Sequence, residues 1–77
     1  MLTLLEIYKE IDQGLKQVAP TLPPVTRIKF AKKCADAAPE FHLPNVRKQR
    51  MYVGFCVDMV KDLTPEEQLY LTSVLGE

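Results

Sequence analysis

The apolar positions of this chain fall into four runs with helical spacing, separated by prolines. In the first run Leu4, Ile7, Tyr8, Ile11, Leu15 and Val18 recur three and four residues apart. At about 100° per residue they share one stripe, with the lysines and acids facing away, which predicts an amphipathic helix over 3–18. Thr3 followed by Glu6 has the spacing of a capping box, in which the hydroxyl takes an orphan N–H and the carboxylate reaches back. Gly14 borders the stripe. Glycine costs a helix up to ~1 kcal/mol against alanine. It therefore marks either a neighbouring backbone passing close by or, more plainly, slack on a solvated edge.

The second run is bounded by Pro24, which suits a first helical turn, and by Pro39, which disfavours helical geometry at Ala38. A helix over 24–38 follows. Ile28, Phe30, Ala31, Cys34, Ala35 and Ala38 share its broad apolar face, opposite Lys29, Lys32, Lys33 and Asp36. Small residues on the buried side let a neighbour approach closely.

Pro44 opens the third run, a helix over 44–62. Val46, Tyr52, Val53, Phe55, Cys56, Val57, Met59, Val60 and Leu63 cover roughly half its circumference, the pattern of a central helix touched by several others. Its valines favour strand, but the period and the length favour helix. The fourth run starts at Thr64-Pro65-Glu66-Glu67: a capping hydroxyl, proline at the first helical position, and acids against the helix dipole. It predicts a short helix over 65–75, with Tyr70, Leu71, Val74 and Leu75 inward and Gly76 at the C-cap. The expected fold is all-α: a small compact four-helix domain, 1–77, with a central third helix and a short fourth.

Composition agrees. The 77 residues are 47% apolar, enough for a core and too many for a disordered chain. A domain this small has a thin stability margin, and oligomerisation is a common remedy, so a homodimer stays open. The chain starts at Met1 and reads as a complete short open reading frame. Its first residues meet an acid at Glu6 and carry no basic leader, so no signal peptide is expected. No apolar run approaches the roughly 18 residues a membrane span needs. Cytoplasmic location and no membrane contact are the expectations.

Charge changes the picture more. The formal net charge is zero, but 1–24 carry −1, 25–50 carry +5 and 51–77 carry −4. The basic middle and the acidic last third are placed to neutralise each other within the fold, or to offer a two-signed surface to a partner.

Candidate chemistry is sparse. Cys34, Cys56 and the single histidine, His42, lack the close ligand pairs of structural zinc. His42 falls in the connection after the second helix, away from both cysteines on their apolar faces, so a Cys-His nucleophile is not supported. If helices two and three form a simple antiparallel hairpin, Cys56 sits about 10 Å beyond the position facing Cys34. Two free, mostly buried thiols are then expected. Gly14, Gly54 and Gly76 form no phosphate loop. No catalytic residue, metal or cofactor is assigned.

The candidate binding residues are Lys29, Lys32, Lys33, Arg47, Lys48, Arg50 and Gly54. Asn45, Arg47, Lys48, Gln49 and Arg50 at a helix N-terminus have the chemistry that reads base edges and phosphates. Against a nucleic-acid role, the link from Ala38 to Pro44 is too long for a helix-turn-helix, and a pI near 6.6 is below the basic range of such binders. Gly54 lies amid the polar face of helix three, between Arg47, Arg50, Asp58 and Lys61, where it leaves a gap for a partner. The expected function is a non-enzymatic regulator or inhibitor that binds another macromolecule, a protein first, as many small bacterial and phage proteins do. A DNA- or RNA-binding module using the start of helix three is the alternative.

Overall fold

The computed structural model describes residues 1–38 and 44–76. His42, and with it the rest of the connection 39–43, lies outside the described residues. Four helices follow in order: α1 Leu4–Val18, α2 Pro24–Ala37, α3 Val46–Lys61 and α4 Pro65–Leu75. The fold is a small all-α domain, as expected, and among the described residues there is no strand.

Local chemistry sets the helix ends. The Thr3 hydroxyl accepts from Glu6 N–H at 3.1 Å while Thr3 N–H donates to Glu6 Oε1 at 3.0 Å. Thr64 and Glu67 repeat the motif at 3.2 and 2.9 Å. Both helix starts thus satisfy two orphan backbone groups without help from tertiary contacts. The start of α3 is a correction. Asn45 caps it, its Oδ1 accepting from Lys48 N–H at 2.9 Å, so the helix begins at Val46 and not at Pro44. An asparagine side chain that can hold the first turn outranks a proline one residue earlier. Ala38 keeps helical dihedrals in spite of the following proline, and Gly76 closes α4 in a right-handed conformation, so neither the left-handed cap nor glycine's freedom is used there.

The core is built around α1. Ile7, Ile11 and Leu15, one per turn, are buried. They meet Phe30, Ala31, Ala35 and Ala38 from α2, and Val53, Cys56 and Val60 from α3. The helix in contact with both α2 and α3 is therefore α1, and α3 is not the central one. The apolar arc of α3 is wide enough for several neighbours, but only one edge of it is covered. On α2 the alanines let α1 approach closely; Ile28, expected inward, is largely exposed.

Polar contacts tie the helices together at points the apolar pattern does not mark. Gln49 is buried and clamps Leu2 by both backbone groups: Leu2 N–H donates to Oε1 at 2.8 Å and Gln49 Nε2 donates to the Leu2 carbonyl at 3.1 Å. Arg27 donates from Nε to Asp12 at 2.7 Å, joining α2 to α1 with both side chains mostly covered. The buried Thr26 hydroxyl donates to Thr72 at 2.9 Å, which fixes α4 against α2.

Helix α4 departs from expectation. Leu75 is buried and Leu71 partly so, whereas Tyr70 is 73% and Val74 51% exposed. The helix rests on α2 near its C-terminal end, and most of its apolar surface faces outward. Among the described residues, no helix is long and apolar enough to cross a membrane.

Candidate functional site

A broad surface depression lies between α2 and α3. It is an open groove of about 710 Å³, with Cys34, Ala37, Tyr52 and Cys56 in its lining and Lys33 and Lys48 at its edges. Along it run Met51, Phe55 and Met59, spaced four residues apart on one line of α3 and 48%, 64% and 65% exposed. Isolated exposed apolar residues are ordinary on small proteins. Here three large ones stand in a contiguous row beside a groove.

The groove exists because α2 and α3 both pack on α1 and approach each other little. What joins them is a set of side chains. The Tyr52 hydroxyl donates to the Cys34 carbonyl at 2.6 Å, and the Cys34 and Cys56 thiols lie close enough to perturb each other's ionisation. The separation of about 10 Å along the helix expected from a simple hairpin is therefore wrong, because α2 and α3 are not hairpin partners. Both thiols are free, Cys56 buried and Cys34 half-buried. Their proximity splits their acidities. The neighbouring Cys34 thiol lowers Cys56 to about 7 although burial opposes it. The same contact, then burial, then the charge on Cys56 push Cys34 well above the ordinary thiol range. The first proton of the pair is thereby made easier to lose and the second harder.

The seven residues singled out from the sequence do not form one patch. Lys33 and Lys48 edge the groove. Lys32 lines a second, shallower recess with Leu4, Leu5, Tyr8 and Ile28, and Lys29 is half-buried. Arg50 reaches Glu10 of α1 at 3.5 Å. Arg47 and Gly54 are exposed, and a methyl group added at Gly54 would meet nothing within 4 Å. At 100° per residue Gly54 stands about 100° around α3 from Phe55, off the groove.

Two of the polar residues at the start of α3 are committed to the fold. Asn45 spends its oxygen on the helix cap, and Gln49 is buried against Leu2. Among the described residues the two charged thirds do not pair with each other. The ion pairs among the described residues run to acids of α1: Lys16 and Arg27 to Asp12, and Arg50 to Glu10. Among those residues no ion pair joins the acidic last third to the basic middle, so both signs stay on the surface.

The sequence pattern does not single out this stripe: Phe55 and Met59 belong to the arc expected to face neighbouring helices, and Met51 lies outside that arc. The signal was present. An arc of half the circumference exceeds what one or two neighbours cover in so short a chain. Comparison with protein-family models, curated proteins and solved structures finds no match to this chain.

Proposed function

We propose that this protein is a non-enzymatic regulator that works by binding a protein through the α2/α3 groove and the α3 stripe beside it. The supporting observation is the exposed row Met51, Phe55 and Met59. Methionine is flexible and polarisable and fits an apolar partner surface of varied shape, while phenylalanine supplies a rigid anchor. Lys33 and Lys48 at the edges favour a partner with acidic residues flanking its apolar contact. Two free thiols suit the reducing cytoplasm as the place of action.

The alternative, nucleic-acid binding through the start of α3, loses support from the internal roles of Asn45 and Gln49 and from the ion pair of Arg50. What is left there, Arg47 and Lys48, gives a contact to phosphate without base readout. Such binding would weaken steeply with salt. No retention on DNA or heparin at low salt is expected.

The docking role is tested by affinity capture with two single variants. Phe55→Glu places a charge in the stripe, and Arg47→Glu changes charge outside the groove. A polypeptide identified with the wild-type protein is expected to be lost with Phe55→Glu and kept with Arg47→Glu. Retention with Phe55→Glu, at unchanged helical content, would remove the stripe from the binding surface.

A further inference from the structure

We propose that the α3 stripe is covered by a second copy of this chain, with the two α3 helices antiparallel about a two-fold axis at Phe55. This rests on the docking role proposed above and names its partner. The basis is a symmetry about Phe55 in α3 and its C-cap residue Asp62. Counting outward from Phe55, Met51 lies four residues before and Met59 four after; Lys48 lies seven before and Asp62 seven after. At 100° per residue these five positions fall within an arc of about 80°. Positions 48, 55 and 62 are one heptad apart, and 51 and 59 lie symmetrically between them, so the row keeps to one face of the helix.

An antiparallel two-fold relates each residue before Phe55 to its counterpart after it. Phe55 then meets Phe55 of the second copy, Met51 meets Met59 twice, and Lys48 meets Asp62 twice. The apolar residues are symmetric about the centre and the end charges are opposite, so the surface is complementary to itself, which is what an isologous contact requires. A parallel pairing would set Lys48 against Lys48 and Asp62 against Asp62, so charge selects the antiparallel one.

The rest of the surface is compatible with this. Lys48 and Asp62 are exposed, and neither has an ion-pair partner among the described residues. The chain has no net charge to hold copies apart. Another exposed apolar group, Leu69, Tyr70 and Val74 of α4, lacks the device: its nearby charges, Glu66 and Glu67, are both acidic and lie at one end. A domain of this size also gains most from burying further apolar surface.

Sedimentation equilibrium of the full chain, from micromolar to millimolar, tests the pairing. The wild-type protein is expected to dimerise and Phe55→Glu to stay monomeric with unchanged helical content. Lys48→Glu and Asp62→Lys should each weaken the dimer roughly tenfold, by turning two attractive pairs repulsive. Combining them should restore it, because each copy then presents both reversed charges. Either single change favours the dipole of α3, an acid near its N-terminus or a base near its C-terminus, so neither harms the monomer. A wild-type monomer at every concentration, or a double variant no tighter than the singles, would overturn the pairing. A monomeric wild type that still captures a different protein in a Phe55-dependent way overturns the second copy alone. Capture that is indifferent to Phe55 overturns the docking role itself.

Discussion

Gly14 of α1 faces Val57 of α3 so closely that a methyl group built on the glycine would stand 2.6 Å from Val57 Cγ2. This contact accounts for a glycine inside the most regular helix of the chain. The close neighbour is a side chain, not a backbone, and the solvated-edge reading does not hold. The β-branched valine has little rotamer freedom with which to yield. Gly14→Ala is therefore expected to destabilise the protein by about 1 kcal/mol, the overpacking cost outweighing the gain in helix propensity. Urea unfolding would measure it. Adding Val57→Ala should recover part of the loss, since residues in contact are not additive.

Gly54 should respond in the opposite sense. It sits in α3 with open space around it. Gly54→Ala is expected to raise stability by about 0.5–1 kcal/mol, the full propensity difference. A loss of stability in the same urea assay would show that the position is contacted in solution.

The two capping boxes make stability depend on acid. Hydrogen bonds from Thr3, backbone N–H first, hold the Glu6 carboxyl below its ordinary 4.5, and Thr64 does the same for Glu67. A carboxyl lowered on folding stabilises the folded state above its unfolded value, and the contribution is lost as pH falls through the lowered one. Melting temperature should thus decline below about pH 4.5, the ordinary Glu value. In Glu6→Gln/Glu67→Gln the amides keep the box geometry without titrating, so the acid-side decline should be shallower. An identical decline would assign it to other carboxyls.

The thiol pair gives a second pH signature. One thiol of the pair, its ionisation eased by the neighbouring sulfur, should alkylate with a midpoint below the ordinary thiol value, and the second only at higher pH. Cys34→Ala removes the partner and should move the midpoint up toward the ordinary thiol value. Alkylation rates followed against pH by intact mass would decide it; a midpoint unmoved by Cys34→Ala would mean the two sulfurs do not interact.

Helix existence and capping were legible because they are local. Thr3, Glu6, Thr64, Pro65 and Glu67 act within one turn, and Ile7, Ile11 and Leu15 repeat at one spacing. What the sequence did not carry is which helix faces which. Every apolar residue of α3 is equally apolar, and only the position of α1 decides that Val53 and Val60 are covered and Phe55 and Met59 are not. The thiol contact was missed for the same reason: it depends on both helices leaning on α1. The basic residues were visible as a run, but α1 acids at positions 10 and 12, distant in sequence, took Arg50 and Arg27 out of it.

The central claim is that the exposed stripe of α3 is a protein contact surface. Its most direct test replaces Phe55 in living cells with a photo-reactive phenylalanine analogue, with position 47 as the control. Irradiation is expected to cross-link the protein to a polypeptide from position 55 and not from position 47. No adduct from position 55, or equal adducts from both, would contradict the account.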